Sequence, residues 1–160
     1  MENIQLLNFI DLELEEKEMI LKWRNHPEIR KWMYNQDEIK LEEHLNFIES
    51  LKSRKDKLYF LVKKEDEFIG VIDFTQLIEK ESVHMGIYSN PNLSGNGKIL
   101  LSKIIEYSFH DLKVEKVFSE VFIENEKAYN LYKKFNFKDI SEKIVNNKKV
   151  ICMELENKNR

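Results

Sequence analysis

The chain has 160 residues, a length typical of one domain with its own hydrophobic core. Its net charge of −3 argues against a nucleic-acid-binding protein, and no apolar run approaches the ~20 residues of a membrane-spanning helix. The single cysteine, Cys152, cannot form an internal disulfide, and the first residues are acidic where a signal peptide would be basic. We therefore expect a cytoplasmic protein without nucleic-acid or membrane partners.

Hydrophobic spacing predicts a mixed α/β protein with an antiparallel middle and helices on both faces of the sheet. We expect one domain at 1–156 and a polar tail at 157–160. The predicted elements in chain order are a strand at 4–10, helices at 15–25 and 40–53, strands at 57–64, 68–77 and 82–88, a helix reaching 112, a strand at 114–123, a helix at 126–135, and strands at 137–140 and 149–153.

A glycine loop stands between the strand at 82–88 and the helix that follows it. The chain has only four glycines, and two of them, Gly95 and Gly97, lie in this loop. Glycine lets the backbone turn tightly, and the N–H groups at a helix N-terminus bind anions well. The loop therefore predicts a site for the pyrophosphate of a nucleotide cofactor.

A second motif, N-x-x-A-x-x-x-Y-x-x-x-N-F, covers residues 125–137. Asn125 stands at the N-cap position of a helix, and Asn136 follows its end, where a left-handed residue is often needed. Ala128 is the only alanine of the chain, which indicates a close approach of a ligand or another backbone. Tyr132 lies one turn later on the same helix face.

Together, the glycine loop and the second motif resemble those of the Gcn5-related N-acetyltransferases (GNAT). The family's loop usually reads Gln/Arg-x-x-Gly-x-Gly/Ala; here Asn92 replaces its first residue, and Asn136 replaces a glycine of the second motif. The resemblance implies a mostly antiparallel, twisted sheet of about seven strands, with a V-shaped splay between strands 4 and 5 where acetyl-CoA enters. We expect Gly86, just before this splay, to form a β-bulge.

The same resemblance implies how acetyl-CoA is bound. Backbone N–H groups near residues 85–87 would polarise the thioester carbonyl, and those of residues 93–98 would hold the pyrophosphate. The residues expected at the cofactor are Met85, Ile87, Leu93, Ser94, Gly95, Asn96, Gly97, Lys98, Asn125, Ala128 and Tyr132.

The family's reaction is direct attack of a neutral amine on the thioester, without an acyl-enzyme. Tyr132 is the candidate general acid by motif position, although a buried core tyrosine would fit the same helix face. The base stays open between His84 and a chain of waters, and a satisfied core histidine explains His84 better than a base does. The four histidines show no metal-ligand spacing, so we predict no metal.

The acceptor should contact the segment 23–47, which mixes aromatic, apolar and hydrogen-bonding residues. This mixture favours a nucleotide-sugar, although helix packing with Asn25 and His26 as caps explains it nearly as well. Several stretches (W-R-N-H-P, W-M-Y, H-L-x-F-I, Y-F-L, I-G-V-I-D-F and G-I-Y-x-N-P-x-L) resemble, nearly end to end, sugar N-acetyltransferases of pseudaminic acid biosynthesis.

This narrower resemblance implies acetylation of the 4-amino group of a UDP-linked 4-amino-4,6-dideoxy-N-acetyl-altrosamine, a step that feeds flagellin glycosylation. By the same similarity, the residues that would line the acceptor pocket are Arg24, Met33, Tyr34, His44, Phe47, Thr75 and Tyr88.

Two other functions fit the sequence. An acetyltransferase for protein N-termini, of the ribosomal-protein type, would need an open groove, and a mildly acidic domain could accept a basic peptide. A catalytically silent acetyl-CoA-binding module would not need Tyr132. The sequence leaves the oligomeric state open, with a homodimer through the late strands as one arrangement.

Overall fold

The computed structural model describes residues 2–158. Within that range the α-helices are α1 (Leu14–Asn25), α2 (Pro27–Arg30), α3 (Leu41–Ser50), α4 (Gly97–Glu106), which a π-helical turn continues to Asp111, and α5 (Glu126–Lys134). The strands are β1 (Ile4–Asn8), β2 (Leu58–Lys64), β3 (Glu67–Ile78), β4 (Ser82–Ser89), β5 (Lys116–Phe122), β6 (Lys138–Val145) and β7 (Lys148–Glu156). They form one sheet in the order β1-β2-β3-β4-β5-β7-β6. The predicted mixed α/β fold with about seven strands is confirmed.

The parallel pair β4 and β5 opens into a V. The two strands are paired only from Ser82 opposite Lys116 to His84 opposite Phe118. Beyond that point β4 continues beside β3 as far as Ser89, and β5 continues beside β7 as far as Phe122. The edge of β4 that follows His84 therefore borders a gap, which confirms the predicted splay.

Each face of the sheet carries its own apolar core. One face, here named the α4/α5 face, is covered by α4 and α5 and includes the side chains of Val83, Met85 and Ile87 from β4. The other, the α1/α3 face, is covered by α1 and α3, and Tyr88 packs against it. Side chains of β4 therefore alternate between the two faces, and the gap between β4 and β5 borders both of them.

The bulge predicted at Gly86 is wrong. The register of β3 and β4 is unbroken from Gly70 opposite Ser89 to Thr75 opposite His84, and it shifts only after Thr75. Gly86 is required for another reason: a Cβ atom there would lie 2.3 Å from Oδ2 and 2.5 Å from Oδ1 of Asp73, its partner on β3. The glycine thus leaves room for a carboxyl group.

The local predictions for α5 are confirmed. The Asn125 side chain caps the helix by accepting a hydrogen bond from the N–H of Ala128 at 3.4 Å. Asn136, just after the helix, has a φ of +73°, the left-handed conformation that asparagine tolerates. These two asparagines fix where α5 begins and ends, and with it the position of Tyr132.

The last hairpin is longer than its hydrophobic pattern predicts. β6 and β7 are joined by Asn146 and Asn147, which have φ values of +54° and +62° and form a two-residue turn. β6 is exposed along nearly its whole length and so shows no apolar alternation. It forms one edge of the sheet, and the predicted homodimer through the late strands stays a prediction.

The described part of the predicted polar tail stays at the sheet. The N–H of Asn157 donates to the Glu115 carbonyl at 2.9 Å, and its Nδ2 donates to the Val114 carbonyl at 3.1 Å. Residues 159–160 of that tail lie outside the described residues. Among the helices of residues 2–158, none has the length and apolar character needed to span a membrane.

Candidate active site

The glycine loop leaves a group of backbone donors in front of α4. Gly95 has a φ of +81°, which allows the chain to turn into the helix at Gly97. Among the hydrogen bonds of residues 2–158, none is donated by the backbone N–H groups of residues 94–99, while Leu100 already donates to the Asn96 carbonyl. Free donors at a helix N-terminus fit the pyrophosphate of CoA.

Most of the residues predicted at the cofactor meet around this loop. The start of α4 lies against α5, since a Cβ at Gly97 would be 3.1 Å from Cδ2 of Leu131. Ser94 and Lys98 are exposed beside the loop, and Asn96 is buried at its end. The apolar members of the set share the core of the α4/α5 face: Met85, Ile87, Leu93, Ala128 and Tyr132.

Tyr132 points from α5 into this core. It is 5% exposed, its ring packs against Phe137 at 5.8 Å between centroids, and its hydroxyl makes no hydrogen bond within the described residues. Burial, with the charge of Asp73 as a second cause, raises the pKa of Tyr132. The phenol therefore stays protonated at neutral pH, the form that a general acid needs.

On the α1/α3 face, titratable side chains gather near the other side of the gap. Burial raises the pKa of Asp73 to about 7. Burial and the Asp73 charge also raise the pKa of Tyr88 and of Tyr59. Neither Asp73 nor Glu120, described below, was selected from the sequence, because a carboxyl group within a strand has no local pattern that reveals its surroundings.

Arg24 on α1 brings a cation to this group. Its Nη2 donates to the Asn35 carbonyl at 2.8 Å, but its Nη1 is buried without a hydrogen-bond partner among the described residues. Burial lowers the pKa of Arg24, while nearby Tyr88 opposes this effect. A buried guanidinium nitrogen without a partner indicates a place where a ligand anion can bind.

The segment 31–40 lies across the end of β5. Tyr34 donates a hydrogen bond to Glu120, and its ring packs edge-on against Phe122 at 5.6 Å. Lys143 forms an ion pair with Glu120 at 2.8 Å. Burial would raise the pKa of Glu120, but hydrogen bonds from Lys143 and Tyr34 outweigh it, so its pKa is lowered.

Asn25 and His26 stabilise the local structure around α2 through hydrogen bonds of their side chains to the backbone. The Asn25 side chain exchanges two hydrogen bonds with the backbone of Ile39, at 2.9 and 2.8 Å. His26 Nδ1 accepts from the N–H of Glu28 at 3.1 Å and caps α2. Asn25 therefore holds the segment 31–40 in place, His26 fixes the start of α2 before it, and Met33 is half-buried within the segment.

His84 lies where β4 and β5 are still paired. Its ring packs against Phe118 at 5.2 Å, and Thr75 is opposite it on β3. Burial lowers the pKa of His84, so its imidazole is neutral at neutral pH and able to accept a proton. Its role as a base stays a prediction.

The predicted pocket residues on α3 are held by helix packing. His44 is 6% exposed, and its Nε2 donates to the Lys17 carbonyl at 2.9 Å, which joins α3 to α1. Phe47 packs edge-on against Tyr59 at 5.0 Å and so reaches the group around Asp73. Phe47 is therefore brought together with Tyr88 and Arg24, whereas His44 is bonded to α1.

Comparison with known proteins agrees with this geometry. A family model described as an acetyltransferase (GNAT) domain matches residues 7–138. The chain therefore belongs to the GNAT acetyltransferase family, and it is an N-acetyltransferase with acetyl-CoA as donor. It is 45% identical to the acetyltransferase PseH of Campylobacter jejuni subsp. jejuni serotype O:23/36 (strain 81-176) over 134 residues, 84% of each chain. The predicted family and the narrower resemblance are confirmed.

Solved structures support the same assignment. The crystal structure of Campylobacter jejuni N-acetyltransferase PseH in complex with acetyl coenzyme A aligns with a TM-score of 0.82 and 36% identity, over 98% of this chain and 100% of that one. Spermidine N-acetyltransferase from Vibrio cholerae, in complex with CoA and spermine, aligns with a TM-score of 0.85 at 19% identity, over 97% and 95% of the two chains, and it shows the fold alone. Within residues 2–158, no group of three or more His, Cys, Asp or Glu side chains is arranged to hold a metal ion.

Proposed function

We propose that this enzyme acetylates the 4-amino group of UDP-linked 4-amino-4,6-dideoxy-N-acetyl-altrosamine in pseudaminic acid biosynthesis, a step that supplies flagellin glycosylation. The similarity to PseH over most of both chains supports this acceptor. We also propose a cytoplasmic location, because Cys152 is free, as is typical of a reducing compartment.

The observation that best supports a nucleotide-sugar as the acceptor is the buried Nη1 of Arg24, which has no hydrogen-bond partner among the described residues. Leaving a buried donor without an acceptor costs about 1–3 kcal/mol, so the site is suited to a ligand that supplies one. A diphosphate accepts hydrogen bonds from the planar guanidinium group, and a nucleotide ring can pack against aromatic side chains. Tyr88 and Tyr59 lie close enough to Arg24 to affect its pKa.

The two faces of the sheet divide the chemistry. Acetyl-CoA supplies an activated acetyl group as a thioester. The N–H groups of residues 94–98 bind its pyrophosphate, whereas the Leu93 N–H already donates to the Asn90 carbonyl at 3.0 Å. The N–H groups near Met85 and Ile87 at the unpaired edge of β4 polarise the thioester carbonyl. Tyr132 donates a proton to the leaving sulfur from the α4/α5 face, while the acceptor amine approaches from the α1/α3 face. Cys152, on β7 opposite Glu120 of β5, takes no part in the acetyl transfer.

The acceptor side is less suited to a protein N-terminus. A peptide needs an open groove, whereas the segment 31–40 is tied down by Arg24 to Asn35, by Asn25 to Ile39 and by Tyr34 to Glu120. A silent acetyl-CoA-binding module is disfavoured by the buried, protonated Tyr132, which such a module would not need.

Release of CoA from acetyl-CoA tests the acceptor. The panel contains a UDP-linked 4-amino-dideoxy sugar, a basic peptide with a free N-terminus, and spermidine as a small polyamine. We expect release with the sugar and only background release with the other two. Release with the peptide alone would contradict the proposal in favour of a protein acetyltransferase, and no release with any acceptor would favour the silent module.

A further inference from the structure

Asp73 is a carboxyl group on the α1/α3 face whose presence the fold itself does not explain. Its side chain is partly exposed, so a small molecule can reach it. The surrounding protein atoms still bury it enough to raise its pKa. Within residues 2–158 it makes no hydrogen bond and no ion pair. An unpartnered carboxyl in such a position costs stability, so an apolar residue would serve the sheet better.

The backbone beside Asp73 is adapted to it. Gly86, one of four glycines in the chain, stands opposite on β4, and the Asp73 oxygens lie where a side chain of residue 86 would begin. Gly86 comes two residues after His84, the last residue of β4 that pairs with β5. The carboxyl group therefore lies over β4 at the level where the gap opens, on the face from which the acceptor approaches.

The charged and titratable groups around Asp73 come from α1, β2 and the residue before it, β4 and α5. Lys57, just before β2, attracts the carboxylate without forming an ion pair. The negative charge of Asp73 helps to raise the pKa of three tyrosines, Tyr59 on β2, Tyr88 on β4 and Tyr132 on α5. Arg24 on α1 interacts in turn with Tyr59 and Tyr88. Asp73 and Tyr132 therefore interact electrostatically from opposite faces of the sheet.

We propose that Asp73 is the general base that takes a proton from the acceptor's ammonium group. This inference deepens the proposed function and rests on its amine acceptor. The carboxylate accepts one proton, and the free amine attacks the thioester carbon, so that a C–N bond forms. The C–S bond then breaks with its electron pair on sulfur, which takes the phenolic proton of Tyr132. The nitrogen loses its surplus proton to the tyrosinate, and Asp73 returns its proton to solvent.

Asp73 suits this role better than His84. Both lie on the same face, but the His84 ring packs against Phe118 below the opening of the gap and next to the Glu120–Lys143 ion pair. Asp73 lies beyond the last paired residues and has no competing partner. A base is most effective when its pKa is close to the working pH, and that of Asp73 is about 7.

The test is the pH profile of kcat for Asp73→Asn, with an acceptor that the wild-type enzyme acetylates. We expect kcat at pH 7 to fall about 10²–10⁴-fold and the rise of kcat through pH 7 to disappear. The deficit should shrink at high pH, where the amine is already neutral. His84→Gln should keep the rise through pH 7, and Asp66→Asn, an exposed carboxyl in the β2–β3 turn, should match the wild type.

A kcat deficit of equal size at every pH, with the rise through pH 7 retained, would overturn the proposal and assign Asp73 a structural role. Loss of that rise in His84→Gln alone would assign the base to His84. Retained stabilisation by acetyl-CoA would show that Asp73→Asn is folded. If the wild type acetylates a different amine from the sugar, the proposed acceptor fails, and the same profile measured with that amine still decides the role of Asp73.

Discussion

Replacing Tyr132 with Phe should lower kcat by about 10²–10⁴-fold while acetyl-CoA still binds. The substitution removes only the hydroxyl, and the ring packing against Phe137 is kept. Without the phenolic proton the sulfur must leave as a thiolate in a site that burial makes unfavourable for charge. Binding should persist because the loop at 93–98 holds the other end of the cofactor. Steady-state kinetics measures the change in kcat.

Tyr129→Phe is the matched control for this experiment. Tyr129 lies on the same helix, but its hydroxyl donates to the surface carboxylate of Asp139 at 2.7 Å, so its loss should leave turnover unchanged. Acetyl-CoA at 100 times its Kd should stabilise both variants by about 2.7 kcal/mol. In a domain of this size that is roughly 5–10 °C in Tm. Wild-type turnover in Tyr132→Phe would remove Tyr132 from the mechanism.

The free energy of unfolding should depend on pH through Asp73. In the folded protein burial raises the pKa of Asp73 to about 7, well above the ordinary 3.8 of an aspartate, so between these two pH values the folded state holds a proton that the unfolded chain has lost. The contribution of Asp73 to the free energy of unfolding is therefore fully present below pH 4 and is lost as pH rises to about 7. Relative to Asp73→Asn, the wild type should lose about 3 kcal/mol between pH 5 and pH 8, at about 1.4 kcal/mol per pH unit up to pH 7.

Urea unfolding at pH 5 and pH 8 measures this difference. Asp66→Asn serves as the control, because its exposed turn carboxyl should leave the pH dependence as in the wild type. Asparagine keeps the shape of aspartate above Gly86. Any effect of the substitution on packing should therefore change the free energy of unfolding by the same amount at both pH values. Parallel stability curves for the wild type and Asp73→Asn would contradict the raised pKa of Asp73 and weaken its assignment as a base.

Local sequence patterns predicted the structure correctly where it depends on local backbone preferences. Asn125 and Asn136 were predicted at the two ends of α5, and the structure places a capping side chain at one and a left-handed residue at the other. The glycine loop was predicted before α4 for the same reason. The splay between β4 and β5 came from the resemblance of these motifs to a family, since no periodicity reveals where two parallel strands separate.

Contacts between residues far apart in the chain could not be predicted from the sequence. Gly86 was assigned a bulge because a glycine within a strand often marks one, whereas the cause is the carboxyl group of Asp73 on the next strand. Tyr34 meets Glu120 across 86 positions of the chain, a pairing that no spacing indicates. β6 was predicted too short because an exposed edge strand lacks apolar alternation.

A competition assay tests the central claim, the choice of acceptor, most directly. The enzyme receives acetyl-CoA with equal concentrations of a UDP-linked 4-amino-dideoxy sugar and a basic peptide, and mass spectrometry identifies the acetylated product. We expect one acetyl group on the sugar's 4-amino nitrogen and an unchanged peptide. An acetylated peptide beside an unchanged sugar would contradict it.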